Sequence, residues 1–410
     1  MRMKLLSIPL LLVCLYPTKS VYAHGFGERY DLPVPLWLYI WGAAAVVLIS
    51  FLAMIRFLKR PRDQAFVDKY FTVPRLVTRI TLHNFLGRML EVIGVAIFLG
   101  VVVAGFIGSA NPNYNVAPTL LWVIWWVGFA YLSAILGNLW IVINPWNTLY
   151  KWSESIYHKV RPNRSFSLNC AYPSHWGVWP AVVLFIGFAW FELAYAKPAL
   201  PIKIATATLG YSLITWLGMA VYGRSVWLRT GECFSVVFGL LARFSPTECH
   251  VSDTAYCKEC SLRCEFRLGY CRDCPECLER ASGLTTSIKI RAYGSGLLKS
   301  PRASNSMTVF ILVLLSTVTF DGLMATPFWR DIYTPLFRNL HDPVIVNSIG
   351  LLLCPIVLIL GYLGTVEIMN KIAPRQNMLV AQTFVVSLIP IALAYHFAHY
   401  FSFLLLQGQL

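Results

Sequence analysis

Seven of the eleven cysteines lie within one stretch of 29 residues. Two Cys-x2-Cys pairs in this stretch are ten residues apart, a spacing that suits the four thiolates of one tetrahedral zinc site. The remaining cysteines, with His250 beside one of them, have the residue types for a second site. The pattern therefore predicts a metal-binding segment. The seven residues are Cys249, Cys257, Cys260, Cys264, Cys271, Cys274 and Cys277.

The same cysteines leave two other interpretations open. The spacing Cys271-x2-Cys274-x2-Cys277 begins like a ferredoxin motif and favours an iron–sulfur cluster. Arg280 and Ala281, however, stand where the fourth cysteine of that motif is expected. Free or redox-sensing thiols are the third interpretation, because low-pKa cysteines also cluster.

A second group of reactive residues lies inside long apolar stretches, where ionisable side chains are costly and mark functional sites. His396 and His399 are three residues apart and share a helix face. At a rise of 1.5 Å per residue, His396, Glu192 and Asp321 lie about 26, 24 and 21 Å from the inner ends of their helices. All of them thus fall near the outer face. We predict Asp321 and Glu192 as catalytic groups, and His396 and His399 as metal ligands.

The amino terminus adds one more candidate ligand. Residues 1–23 have a basic start, a short apolar core and a Val-Tyr-Ala end, the pattern of a cleavable signal peptide. Cleavage after Ala23 would leave His24 at the mature terminus, on the outer side. Its free amine and imidazole together favour copper or another divalent metal at the outer histidine cluster.

The elements that position these residues follow from composition. Of the 410 residues, 57% are hydrophobic and only 13% charged, and the mean hydropathy is +0.61. These values exclude an ordinary soluble protein and predict an all-α bundle of about eight transmembrane helices with a cysteine-rich cytoplasmic loop. The predicted spans are 36–57, 89–109, 117–136, 176–196, 204–222, 307–326, 343–364 and 379–402.

The net charge of +15 is explained by membrane orientation. Counted over the predicted topology, 26 Lys and Arg residues lie on one side and five on the other, with three in the signal peptide. The positive-inside rule then places the cysteines in the cytoplasm and both mature termini in the periplasm, in a bacterial inner membrane. A reducing cytoplasm disfavours disulfides. No nucleic-acid partner is needed to explain the charge.

The chain thus divides into four predicted regions. These are a signal peptide (1–23), a first membrane region of five spans (24–222), a cytoplasmic loop with the cysteine cluster (223–306) and a second membrane region of three spans (307–410). The expected partners are the lipid bilayer and a small-molecule or metal-ion ligand. Nothing in the sequence fixes an oligomeric state.

Three stretches carry a resemblance to a known family. They are residues 24–36 (HGFGERYDLPVPL), 231–238 (GECFSVVF) and 395–400 (YHFAHY), with Phe320-Asp321-Gly322 beside them. Together they resemble a family of bacterial polytopic membrane proteins, some of which are named fenitrothion hydrolase. The resemblance implies a membrane-associated activity on an organophosphorus triester, without assigning catalytic residues.

Three functions are compatible with these residues. The first is a metal-dependent phosphotriester hydrolase at the outer face, in which a metal-bound water attacks phosphorus and a carboxylate accepts the proton. The second is a protein that handles or transports a copper-type metal through the same His and Asp residues. The third is a redox or sensor module built on the cysteine loop, with the bundle as its anchor.

Overall fold

The computed structural model describes isolated residues between 38 and 52, and then residues 70–74, 85–253, 255–258, 260, 271–281, 285–298, 302–372 and 377–408. The chain divides into two compact units, Met1–Arg56 and Phe57–Leu410. The helices, strands and side-chain clusters below belong to the second unit. The chain is 76% helical, which confirms the predicted all-α class.

Long apolar helices form the membrane region. In chain order they are α1 (Phe85–Ile107), α2 (Val116–Pro118) running into a π-helix (Thr119–Gly128) and α3 (Phe129–Leu136), then α6 (Trp179–Leu193), α7 (Pro201–Tyr222), α13 (Asn305–Met324), α15 (Pro343–Ile372), α16 (Asn377–Phe384) and α17 (Leu388–Gln407). A short 3-10 turn, Val385–Ser387, joins the last two. Within the described residues, six of these segments are long and apolar enough to cross a membrane.

Those six segments match six of the eight predicted spans. They are Leu86–Ile107, Val116–Leu136, Pro201–Tyr222, Asn305–Met324, Pro343–Ile372 and Val380–Gln407. The predicted span 176–196 corresponds to α6, an apolar helix of only 15 residues. The predicted span 36–57 falls largely outside the described residues. The multi-pass membrane class is therefore confirmed, while the number eight stays a prediction.

Shorter elements connect the spans. They are α4 (Trp140–Ile143), α5 (Pro145–Val160), α8 (Arg224–Thr230), α9 (Cys233–Leu241), α10 (Ala255–Lys258), α11 (Pro275–Arg280), α12 (Ser295–Leu298) and α14 (Pro327–Leu340), with 3-10 turns at Pro112–Tyr114 and Ser174–Trp176. Local chemistry sets their ends. Asn144 accepts a hydrogen bond from Asn147 N at the start of α5, with Pro145 in its first position. Gly137, at a φ of 122°, ends α3.

A small antiparallel sheet, with three of its four strands in the predicted cysteine loop, was not predicted from the sequence. Its strands are β1 (Phe71–Thr72), β2 (Thr247–Val251), β3 (Cys271–Arg272) and β4 (Thr286–Ile290), in the order β1-β4-β2-β3. Because Phe71 pairs with Ile290, β1 from the predicted segment 58–88 lies beside β4 from the predicted segment 223–306. This agrees with the predicted topology, which assigns both segments to one side of the membrane.

Ion pairs join a third predicted loop to the same end. Arg224 Nη2 lies 2.8 Å from Glu279 Oε2, and Lys151 Nζ lies 3.5 Å from Glu279 Oε1 and 3.2 Å from Glu91 Oε1. Lys151 belongs to the segment 137–175 and Glu279 to the cysteine segment. The predicted cytoplasmic loops therefore contact one another.

The core is aromatic. Helix α13 is the most enclosed of the six candidate spans, since 61% of its apolar 18-residue stretch is buried inside the protein. It packs against α6, α15 and α17. The π-helix lies beside α17 and presents Trp122 and Trp126, both 4% exposed, to the core. Packing of this kind holds membrane helices together, since lipid tails provide no hydrophobic drive for helix association. Helix α13 thereby fixes the position of Asp321 near its carboxyl end.

Candidate functional sites: a cysteine group and an intramembrane His–Asp pair

Three cysteine side chains converge in the segment between the spans α7 and α13, the extramembrane segment 223–306. Cys260, Cys274 and Cys277 are 4%, 4% and 0% exposed, and their Sγ atoms lie within 4.8 Å of one another. Cys274 directly precedes α11 and Cys277 lies in its first turn, so the helix start holds the Cys-x2-Cys spacing on one face. Within the described part of the chain, no other group of three His, Cys, Asp or Glu residues brings ligand atoms this close. The group is therefore able to hold a metal ion.

The sulfur spacing carries information on the kind of centre. Cys260 Sγ lies 3.8 Å from Cys274 Sγ. Four thiolates around one zinc ion at about 2.3 Å stand roughly 3.8 Å apart, as tetrahedral geometry requires. In a [4Fe–4S] cluster each thiolate binds a different iron atom and the thiolates stand farther apart, whereas in a [2Fe–2S] cluster two thiolates share each iron. The observed distance thus fits two thiolates on one metal ion.

Two polar side chains contact these thiols. The Arg229 guanidinium, at the end of α8, donates a hydrogen bond to Cys274 Sγ at 2.5 Å. Cys260 Sγ lies 3.5 Å from Glu276 Oε2, and Glu276 pairs with Arg280 at 2.9 Å. Because a set of metal-bound thiolates carries net negative charge, an adjacent arginine stabilises it. Sequence reasoning missed Arg229, since it lies 45 residues from its partner.

The other predicted cysteine ligands have mixed outcomes. Cys271 lies on β3 and is 3% exposed, and it belongs to the same buried cluster. The side chain of Cys257, on α10, and the whole of Cys264 lie outside the described residues. Burial, reinforced by the charge of Asp273, raises the pKa of Cys249, so this thiol stays protonated in the absence of a metal. Cys271 is thus a candidate for the fourth ligand, and a ligand role for Cys257 stays a prediction from the sequence.

Asp321 and His399 meet inside the helix bundle, as their predicted depths suggested. His399 Nε2 lies 2.9 Å from Asp321 Oδ2, although the two residues are 78 positions apart. The Asp321 side chain is 1% exposed, whereas that of His399 is 20% exposed. An imidazole with one nitrogen on a buried carboxylate is oriented and keeps its other nitrogen for proton transfer.

Two tyrosines complete this pair. The Tyr400 hydroxyl donates a hydrogen bond to Asp321 Oδ2 at 2.5 Å, and the Tyr395 ring lies parallel to that of His399 with centroids 6.2 Å apart. Gly322 makes room for Tyr395, because a Cβ at 322 would lie 2.2 Å from the tyrosine hydroxyl. Sequence reasoning missed both tyrosines. The signal was present, since they flank the histidine pair at helical spacing in residues 395–400.

His396 and Glu192 border the pair without joining it directly. The His396 ring is packed edge-on against Trp126 and Tyr131, each at 5.6 Å, and its Nε2 has no hydrogen-bond partner among the described residues. Glu192, near the end of α6, is close enough for its charge to interact with Asp321. His399 and the three residues predicted from depth, Glu192, Asp321 and His396, thus lie in one neighbourhood. His24 lies outside the described residues.

The donor atoms of this second group do not converge as metal ligands do. His399 Nε2 lies 2.9 Å from Asp321 Oδ2, but the described residues of this group contain no set of three His, Cys, Asp or Glu ligand atoms within 4.8 Å of one another. The geometry is that of an acid–base pair with hydrogen-bonded support.

A π-helix lies beside this neighbourhood. Residues Thr119–Gly128 adopt this wide helix for ten residues. π-Helical segments are rare, and many of them occur at functional sites. Trp126 on the π-helix contacts His396, and both Trp126 and the adjacent Trp125 pack against Phe188 and Phe234. The segment therefore connects the surroundings of His396 with the aromatic core.

Comparison of the chain with protein-family models, with curated proteins and with solved structures finds no match. Function is therefore inferred from the geometry of the cysteine group and of the His399–Asp321 pair.

Proposed function

We propose that this multi-pass membrane protein hydrolyses an uncharged organophosphorus triester, with His399 as general base and Asp321 as the group that orients it. The observation that carries the proposal is the hydrogen bond between His399 Nε2 and Asp321 Oδ2 in a bundle where charged groups are rare. The resemblance of residues 395–400 and 320–322 to fenitrothion hydrolases supplies the substrate class.

The proposed reaction is a displacement at phosphorus. His399 takes a proton from water, the oxygen of that water bonds to phosphorus, and the P–O bond to the aryl group breaks. The aryloxide leaves with the electron pair of that bond and takes up a proton, which gives a phosphodiester and a phenol. The Asp321 carboxylate stabilises the imidazolium that forms, and Tyr400 holds the carboxylate in place.

An uncharged triester suits a site of this kind. It partitions into the bilayer and reaches a partly exposed His399 without the cost of moving a charge into an apolar region. The outer metal ion predicted at His24, His396 and His399 would polarise the phosphoryl oxygen. The described geometry supports the acid–base pair more directly, and copper handling by these residues stays an alternative proposal.

The test is release of nitrophenol from an aryl phosphotriester by detergent-purified protein. We expect His399→Ala to lower the rate about 10²- to 10⁴-fold, the usual contribution of a positioned general base. His175→Ala, in the half-exposed turn Ser174–Trp176 at a distance along the chain from the pair, is the matched control and should keep the full rate. Equal rates for the wild type and His399→Ala would refute the proposal.

We also propose that the cysteine group holds one zinc ion that stabilises the extramembrane segment. The burial of three thiols and the Arg229 contact support a metal-bound thiolate group, and the 3.8 Å sulfur spacing favours one shared ion over the separate irons of a [4Fe–4S] cluster. A redox or sensor role for the loop is the alternative. Purified protein with one zinc per chain and no visible absorption is the expected result, and a brown protein that contains iron would contradict it.

A further inference from the structure

A second feature of the bundle is a cavity of about 420 Å³ between α1, the π-helix, α6 and α7. Its walls are aromatic and aliphatic, with Phe98, Trp125, Phe188 and Phe234 among them, and the described residues that line it include no Asp, Glu, Lys, Arg or His. Cavities of this size bind small molecules. An empty one is costly in proportion to its volume, and water does not fill an apolar one.

The cavity is accessible from the lipid-facing surface of the bundle. Three of its lining residues, Ile124, Val183 and Ile214, are 40%, 66% and 46% exposed. Ile124 and Ile214 lie in candidate membrane spans, and Val183 lies in the short apolar helix α6. A ligand therefore enters from the hydrocarbon region and must be uncharged and apolar for most of its length.

One part of the lining is polar in a defined way. Tyr211, which lines the cavity, donates its hydroxyl proton to Glu232, a fully buried carboxylate at the start of α9. Glu232 also accepts hydrogen bonds from Phe234 N at 2.9 Å and Ser235 N at 2.7 Å. Cys233 Sγ lies 3.3 Å from the same hydroxyl. Because the Tyr211 proton is committed to Glu232, a lone pair of the tyrosine oxygen that Cys233 does not contact remains to accept. A hydroxyl that has already donated is a stronger acceptor.

We propose that this cavity binds an uncharged aromatic lipophile with one hydroxyl group, of the alkylphenol class, taken up from the bilayer. The ring stacks among Trp125, Phe188 and Phe234, and the ligand hydroxyl donates to Tyr211. This site is separate from the His399–Asp321 pair. Ligand binding in the cavity does not depend on hydrolysis at that pair.

Gly187 offers a way to close the cavity. It lines the cavity from α6, and a Cβ added there meets nothing within 4 Å. Gly187→Leu therefore fills the space without displacing the backbone. Gly210, on α7, is also open to a Cβ but does not line the cavity, so Gly210→Leu is the matched control.

The experiment is equilibrium dialysis of 4-octylphenol and of octylbenzene against the purified full-length protein. We expect saturable binding of 4-octylphenol at one site per chain, at least tenfold weaker in Gly187→Leu and unchanged in Gly210→Leu. Tyr211→Phe should weaken 4-octylphenol about tenfold, as expected for one hydrogen bond, and leave octylbenzene unchanged.

Three results would overturn the proposal. The first is non-saturable uptake by the wild type, which would be simple partitioning. The second is equal affinity of Gly187→Leu and the wild type for 4-octylphenol. The third is equal affinity of the wild type for 4-octylphenol and octylbenzene. The last result would assign the cavity to lipid acyl chains. Nitrophenol release is not used, so failure here leaves the hydrolysis proposal standing, and the reverse also holds.

Discussion

The cysteine group and the His–Asp pair differ in how their ligand atoms are arranged. In the extramembrane segment, three like donors converge within 4.8 Å around a common centre. In the bundle, two unlike groups meet one to one, with His399 Nε2 2.9 Å from Asp321 Oδ2 and tyrosines around them. Convergence of like donors suits a metal ion, whereas an oriented base beside a carboxylate suits proton transfer. Burial alone does not distinguish these roles, because Asp321 and Cys277 are both almost fully buried.

The largest expected effect is on the metal. Cys274→Ser removes a converging thiol and the acceptor of the Arg229 hydrogen bond. We expect the zinc content of purified protein, measured by mass spectrometry, to fall from about one per chain to background, because structural zinc sites need their full ligand set. Cys170→Ser, at an exposed cysteine outside the group, is the control and should keep its zinc.

The next effect is on the pair in the bundle. Asp321→Asn keeps the size of the side chain but removes the charge that orients and stabilises His399. We expect nitrophenol release to fall roughly 10²- to 10⁴-fold, as for an orienting carboxylate beside a catalytic histidine. Asp331→Asn, at an exposed position on α14, should retain the wild-type rate. If both variants hydrolyse at the same rate, the pair has no part in the chemistry.

A smaller effect is expected beside the cysteines. Arg229→Gln leaves every thiol in place but removes the charged donor to Cys274. Loss of such a supporting contact lowers metal affinity about 10- to 100-fold, which competition with a chromophoric chelator would measure. Arg164→Gln, in an exposed loop, should bind as the wild type does. If Arg229→Gln binds zinc with the affinity of the wild type, this guanidinium does not stabilise a metal-bound thiolate.

The smallest effect is expected where the cysteine segment contacts the neighbouring predicted loop 137–175. Glu279→Gln breaks the ion pairs with Arg224 and Lys151, whose side chains are 17% and 37% exposed. Such pairs contribute about 0.2–1 kcal/mol and are screened by salt. We expect a small drop in melting temperature at low salt, and none at high salt. Zinc content and hydrolysis should both stay unchanged, and a change in either would show that the regions are coupled.

Six spans could be predicted from the sequence, because a segment that crosses the bilayer must be apolar over its length, and a long apolar run there forms a helix. It also predicted that Asp321 lies at a similar depth to His396, three residues before His399. It did not predict that Asp321 and His399 touch, since lateral position in a bundle depends on packing between residues 78 positions apart. Tyr400, the next residue along from His399, was missed for the same reason: its partner is on another helix.

The cysteine segment shows the opposite balance. Local spacing placed Cys260 and Cys274 in one predicted zinc site, because two Cys-x2-Cys pairs are local features. It assigned Cys277 to a second site, whereas the structure brings Cys277 together with Cys260 and Cys274. The strands around them were missed, although β4, with its alternating Thr-Ser-Ile-Lys-Ile, has the period of two that indicates a strand. Strands of two to five residues are too short to stand out in a chain dominated by apolar helices.

One measurement tests the division of roles most directly: zinc content and nitrophenol release in the same preparations of wild type, Asp321→Asn and His399→Ala. We expect both variants to retain one zinc per chain and to lose hydrolysis. Loss of zinc together with activity in these variants would contradict it, because the metal would then depend on the residues in the bundle.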